Sequence, residues 1–311
     1  MTKSITFIRG LQSIGLNSRT RFLALASVLT GINAHAAPGD FYVSETSSYV
    51  IEQLSPTGTD LGAFATTGSA RTFGLAFDTS GNLYSAFFTD NTIMKFTPTG
   101  VGSVFASGLA GPYGLALDSG GNVYTSNALG TTVQKFSSTG ADLGTFASGL
   151  YSPRDLTFDS AGNLYVISGA SATIEKFSSS GVALGSFGVG VSGITGLAFD
   201  SSGNLFASNY AANTILKIDP SGSSSVFASA GLAQPQGLAF DDQGNLYAVN
   251  EGTNSVEKFD PTGTTHSTFA TGLGSSPGYI AIQPSAVPEP SGVILTGAVG
   301  LLGLIRRRRM D

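Results

Sequence analysis

The sequence predicts an all-β fold, a six-bladed β-propeller of four-stranded antiparallel blades. Three observations lead there. One phrase recurs, as GLAFDTSGNLY from Gly74, GLALDSGGNVY from Gly114, DLTFDSAGNLY from Asp155, GLAFDSSGNLF from Gly196 and GLAFDDQGNLY from Gly237, at spacings of 40, 41, 41 and 41 residues. A fixed period near this length marks a solenoid or a propeller, because each unit is a supersecondary element that buries its core only against its neighbours. Each unit holds four strand-like runs, the makeup of a propeller blade. The count also closes, since a turn glycine recurs six times, at Gly58, Gly100, Gly140, Gly181, Gly222 and Gly263.

Within a unit the runs follow in order. Leu75-Ala76-Phe77 begins as strand a, Asn82-Leu83-Tyr84 opens strand b, Thr92 to Phe96 is strand c and Ser103 to Ala106 is strand d. The a–b link reads Asp-x-x-Gly-Asn and the c–d link ends in Gly, as in Pro98-Thr99-Gly100. Glycine supplies the positive φ of a tight hairpin and Asp caps its own turn. Strand a of the Gly74 type occurs only five times, and its sixth copy is Tyr279-Ile280-Ala281-Ile282-Gln283. The first strand after the N-terminal segment is a strand b, Asp40-Phe41-Tyr42-Val43. One blade is therefore expected to take strand a from the C-terminal end and strands b to d from the N-terminal end. Such closure leaves no open end to the array.

The two ends read as addresses. Lys3, Arg9, Arg19 and Arg21 precede an apolar run from Phe22 to Ile32, followed by Ala34-His35-Ala36. A basic start, a short apolar stretch and small residues before the cut describe a secretory signal peptide, so cleavage by signal peptidase is expected after Ala36. The other end reads Val287-Pro288-Glu289-Pro290-Ser291, an apolar stretch from Gly292 to Ile305, then Arg306, Arg307, Arg308 and Arg309. This resembles the PEP-CTERM sorting signal of Gram-negative bacteria. The resemblance implies transient anchoring in the inner membrane, with exosortase as partner, before delivery to the cell envelope or extracellular matrix. The arginines would stay cytoplasmic under the positive-inside rule, leaving the rest of the chain outside. The expected division is signal peptide 1–36, propeller 37–286 and sorting segment 287–311.

Composition removes several functions. The chain has no Cys and only two His, His35 and His266, which excludes thiol chemistry, disulfide scaffolds and His-cluster metal sites. Residues 37–286 carry seven Lys and Arg against 18 Asp and Glu, a net charge of −11, which argues against nucleic acid as a partner and suits a soluble exported domain.

The repeat resembles the NHL repeat over residues 40–283. The resemblance implies a six-bladed propeller with strand a innermost, in a group that includes binding modules, gluconolactonases and streptogramin lyases. An Asp often found five residues after the start of strand b is largely lost here, the matching positions being Glu45, Phe87, Asn127, Ser168, Asn209 and Asn250.

Antiparallel geometry sorts the loops onto two faces. The a–b and c–d turns are nearly uniform, whereas the b–c and d–a connections differ in every blade, and varied loops on a rigid scaffold are where binding concentrates. Phe73, Tyr113, Arg154, Thr195, Gln236 and Gly278 stand just before the repeated phrase on that variable face. With Glu45, Asn127, Asn209 and Asn250 they would ring the channel mouth with aromatic, amide and guanidinium groups. This mix suits a glycan, an extracellular polysaccharide or a protein ligand. Glu45 with the amides could alternatively hold Ca²⁺ or Mg²⁺, which the gluconolactonase resemblance suggests and which would open a lactonase- or lyase-like activity. Glu251 is expected to point away from the axis, and Asp155 to form a surface pair with Arg154. On the opposite face Asp78, Asp118, Asp159, Asp200 and Asp241 are expected to cap turns, with the strand c lysines solvated or paired to them. The leading expectation is a non-enzymatic binding or matrix protein with no required cofactor; the alternative is the metal-dependent enzyme.

Overall fold

The computed structural model describes residues 37–188 and 192–284. The signal peptide with Ala36, and the sorting segment with Pro288, Glu289, Pro290 and Arg306 to Arg309, lie outside the described residues. Strands β1 (Phe41–Glu45), β2 (Val50–Leu54) and β3 (Asp60–Thr66) come first. Blade 1 is β4 (Thr72–Phe77), β5 (Leu83–Phe87), β6 (Thr92–Phe96) and β7 (Gly102–Ser107). Blade 2 is β8 (Pro112–Leu117), β9 (Val123–Asn127), β10 (Val133–Phe136) and β11 (Asp142–Ala147). Blade 3 is β12 (Pro153–Phe158), β13 (Leu164–Ser168), β14 (Thr173–Phe177) and β15 (Ala183–Ser186). Blade 4 is β16 (Ile194–Phe199), β17 (Leu205–Asn209), β18 (Thr214–Ile218) and β19 (Ser224–Ala228). Blade 5 is β20 (Pro235–Phe240), β21 (Leu246–Asn250), β22 (Ser255–Phe259) and β23 (His266–Thr271), followed by β24 (Pro277–Ile282). The sixth sheet has the order β24-β1-β2-β3, so strands from both ends of the chain close the ring as expected.

An aromatic rivet joins neighbouring blades. The second residue of each strand b is Tyr42, Tyr84, Tyr124, Tyr165, Phe206 or Tyr247, and all six are buried. Tyr124 meets Phe146 of its own outer strand and Phe158 of the next inner strand, each at 4.9 Å between centroids. Tyr165 repeats this with Phe187 and Phe199, and Phe206 with Phe227 and Phe240. Edge-to-face pairs of this kind add to the area they bury, which is how a chain with few charges and no disulfide holds its blades together.

The uniform face is built from the Asp-x-x-Gly-Asn turns. Asp118 Oδ1 accepts from the Gly120 and Asn122 amides at 2.9 Å, and Oδ2 accepts from Asn122 Nδ2 at 2.8 Å and Tyr124 Oη at 2.9 Å. Asp78, Asp159, Asp200 and Asp241 hold equivalent turns. Lys95, Lys135, Lys217 and Lys258 lie 3.2 to 4.0 Å from these carboxylates, with Lys95 also 4.9 Å above the Tyr84 ring. The ring of aspartates is thus occupied in turn capping. Asp118→Ala should cost about 2 to 3 kcal/mol, since it orphans several donors at once, whereas Lys217→Met should cost under about 1 kcal/mol because that pair is solvent-screened. Urea midpoints of the two variants would check the contrast.

Candidate functional site at the variable mouth

The six inner strands β4, β8, β12, β16, β20 and β24 pack side by side around the axis. Each carries a register shift against its strand b near its start, as between Thr72 and Leu75 or between Pro112 and Leu115. A bulge re-aims the side chains on it, and here it carries Phe73, Tyr113, Arg154, Thr195, Gln236 and Gly278. In alternate blades a serine on strand b satisfies the bulged amide, with Ser126 Oγ accepting from Gly114 N, Ser208 Oγ from Gly196 N and Ser44 Oγ from Tyr279 N, at 2.8 to 3.0 Å.

These bulges bring Phe73, Tyr113 and Gln236 together at a cavity of about 200 Å³, lined also by Thr46, Arg71, Glu251 and Ser276. Larger hollows lie between blades on the uniform face, but the groups lining them are already engaged in turns and ion pairs. At the mouth, Phe73 stacks on Tyr113 with centroids 4.1 Å apart and 20° between planes, and Phe88 closes on Phe73 edge-on at 5.5 Å. The Arg71 guanidinium sits 5.7 Å from the Phe73 centroid. Across the cavity Gln236 Nε2 donates to Glu251 Oε2 at 2.7 Å. Tyr210 also bonds Glu251, and burial and that carboxylate together raise its phenol pKa. Burial raises the Tyr113 phenol as well, with Arg154 opposing, so both hydroxyls are neutral donors at physiological pH.

Two expectations are corrected here. Glu251 faces the mouth, because the Gln236 amide and the Tyr210 hydroxyl draw its carboxylate inward. Asp155 is not a surface pair with Arg154: it is 7% exposed, and its carboxylate accepts from Leu156 N at 2.9 Å and from Leu197 N at 2.8 Å on the next blade. Burial pushes its pKa up to about 7, with the two amides opposing.

The reason lies in the axis. Asp155 and Tyr279 occupy the position that is glycine in the other four inner strands. At Gly114 a Cβ would stand 2.7 Å from Arg154 O and 2.9 Å from Asp155 Cα, and Gly74, Gly196 and Gly237 likewise face the backbone of the following strand. Four seams are therefore backbone against backbone, and the two opposite seams, β12–β16 and β24–β4, carry a side chain. Tyr279 reaches across to donate to Thr195 O at 2.9 Å and meets the Tyr113 ring edge-on at 5.8 Å. Asp155 and Tyr279 are thus both buried among the inner strands, near enough for the carboxylate to help raise the Tyr279 phenol pKa, to which burial contributes most.

The amide set expected at the mouth lies one strand further out and is engaged locally. Asn127 Oδ1 accepts from Ala110 N and its Nδ2 donates to Thr132 Oγ1. Asn250 is tied to Ala233 N and Gly231 O, and Asn209 Oδ1 accepts from Ala212 N. Glu45 is 2% exposed, and its Oε1 accepts from Gly274 N at 2.6 Å. Each of these side chains is engaged by a nearby loop, that of Asn209 within its own blade and those of Asn127, Asn250 and Glu45 in connections between blades, so Glu45 and the amides are not free to form a Ca²⁺ or Mg²⁺ cage. Among the described residues no group of three or more His, Cys, Asp or Glu side chains is placed to hold a metal ion. Arg154 is half-buried at the rim beside Gly169 of its own blade. His266 lies on the outermost strand β23, its Nδ1 3.5 Å from Glu257 Oε2.

Glu251, Arg71 and Tyr210 come from the irregular loops, which carry no repeat signal. The Asp155 and Tyr279 departures from glycine are visible in the repeat itself.

No protein-family model matches the chain, and no curated protein matches it. Solved structures do match in fold. A chain of a nidogen–laminin complex is 24% identical with a TM-score of 0.69, over 79% of this chain and 98% of that one. A streptogramin B lyase is 14% identical with a TM-score of 0.62, over 82% and 93%. A catalytically inactive histidine-to-alanine variant of virginiamycin B lyase from Staphylococcus aureus, with quinupristin, is 15% identical with a TM-score of 0.61, over 81% and 94%. At these identities the likeness establishes the six-bladed propeller.

Proposed function

We propose that this chain is an exported, non-enzymatic binding propeller, sorted to the cell envelope or extracellular matrix, that holds a hydroxyl-rich ligand such as a polysaccharide segment at the variable mouth. The observation that carries this reading is the cup formed by the Phe73–Tyr113 stack facing Gln236 and Glu251, with Arg71 on its rim. A sugar ring presents an apolar face to aromatic carbon and hydroxyls to amide, carboxylate and guanidinium groups, and the cup offers each of these in a pocket of small-ligand type. Export rests on the signal-like start and on the Pro288-Glu289-Pro290 segment with its arginine tail.

The lyase-like alternative has less to stand on. The one histidine among the described residues is on the rim of the propeller, away from the mouth, and Asp155 is enclosed between strands. Calorimetric titration of the protein with soluble oligosaccharides from the producing cell's extracellular polysaccharide tests the binding reading. Tyr113→Ala and Phe73→Ala should each weaken binding about tenfold, the scale of a lost aromatic contact. Binding that is indifferent to both replacements would sink it.

A further inference from the structure

The closing blade lacks the Asp and Lys that stand at matching positions in the other five blades and form an ion pair in four of them. Where those blades have Asp at the a–b turn, Asn before strand b and Lys on strand c, the closing blade has Gln283, Asp40 and Gln53. The single carboxylate has moved to Asp40, which is 3% exposed. Its Oδ2 accepts from Gln53 Nε2 at 2.7 Å and from Ala37 N at 3.0 Å, and among the described residues no lysine or arginine forms an ion pair with it. A buried carboxylate without a cation is costly, and this one stands at the joint where the ring is sealed. Gly39 N donates to Gln283 O at 3.0 Å, Gln283 N to Asp40 O at 2.8 Å, and Asp40 N to Ala37 O at 3.0 Å.

Ala37 is also the residue that follows the expected signal-peptide cut. We propose that cleavage after Ala36 creates the missing cation: the α-ammonium of Ala37 pairs with Asp40 and takes the part that the strand c lysines play elsewhere, so that maturation itself locks the ring. The proposal rests on the export reading above. Hydrolysis adds water across the Ala36–Ala37 peptide bond, leaving a carboxylate on Ala36 and an amine on Ala37 that binds a proton at neutral pH. Before the cut, the Ala37 nitrogen is an amide that donates one uncharged hydrogen bond. After it, the same atom, already 3.0 Å from Asp40 Oδ2, carries a full positive charge. Charge-assisted bonds are roughly twice as strong as neutral ones. The substitution of Lys by Gln in this blade alone is then explained, since a lysine there would compete with the new terminus for one carboxylate.

The test uses the full chain expressed with its own leader in a Gram-negative host and recovered after export. Intact mass and terminal peptide mapping should show Ala37 as the first residue. Acetylation at near-neutral pH targets the α-amine, whose pKa lies about two to three below that of lysine. It should lower the folding equilibrium constant about fivefold to tenfold, read as a fall in the urea midpoint. In Asp40→Asn the midpoint should already be lowered, and acetylation should change it no further. Gln53→Lys restores the ammonium of the other blades, so its midpoint should not respond to acetylation even if Asp40→Asn fails to fold. A terminus at Ala37 with a midpoint that ignores acetylation overturns the ion pair and leaves the export reading standing. A terminus elsewhere overturns the expected cleavage position and the ion pair together.

Discussion

The propeller is expected to lose stability as pH rises from about 4 to about 7, and Asp155→Asn is expected to remove much of that loss. The cause is the buried carboxylate at the axis, pushed from 3.8 to about 7. A group whose folded pKa is raised binds more protons folded than unfolded, so its contribution is fully present below the unfolded value and disappears as pH rises through the folded one. For Asp155 alone the window is worth up to about 4 kcal/mol. Glu52 adds to it, since burial first and then Asp60 beside it push its carboxyl up to about 7. The turn aspartates work in a different range. Burial alone would raise Asp118 and Asp241, but bonds from the Asn122 and Asn245 side chains and backbones bring both below the ordinary value. Their contribution is present above that value and falls away only in stronger acid. Stability should therefore peak between about pH 4 and pH 5. Urea midpoints at about pH 4.5, 6 and 7.5 check this. A wild-type midpoint that is level or rising across that range would show that the Asp155 carboxylate is compensated in a way the axis geometry does not reveal.

Gly114→Val is expected to destabilise the protein by about 3 kcal/mol or to prevent folding. The new Cβ would lie 2.7 Å from Arg154 O and 3.1 Å from Leu156 N, both backbone atoms of the adjacent inner strand, so no side chain can rotate away. The inner strands would have to separate. Gly144→Ala is the control. Gly144 has a φ of +91° but nothing within 4 Å of its Cβ position, so the replacement should cost only about 1 to 2 kcal/mol. Comparing urea midpoints separates close approach from backbone strain: equal losses would mean that the seam is looser than its geometry indicates.

How the two positions differ was only half legible in the repeat. Asp155 stands where four of the other repeats have glycine, at Gly74, Gly114, Gly196 and Gly237, a difference visible in the sequence. That Asp155 and Tyr279 stand on opposite seams of one ring is a relation between residues 124 positions apart, which no local pattern encodes. The same holds for Glu251. Its place in an irregular b–c loop suggests a direction away from the axis, and only the Gln236 and Tyr210 groups across the mouth turn it inward. Asn127, Asn209 and Asn250 mislead for the opposite reason: they end strand b on the correct face, but an amide beside unpaired loop amides bonds those first.

By itself the sequence determined the blade count, the strand order within a blade, the closure from both ends and the identity of the variable face. All of these follow from a period near 41 residues, two-residue alternation and turn chemistry, which are local and repeated six times over. Only the tertiary structure decided which side chains share the mouth and which carboxylates are buried. Those depend on how six similar inner strands approach one another around a common axis, and there the differences between repeats, not the repeat itself, determine what meets what.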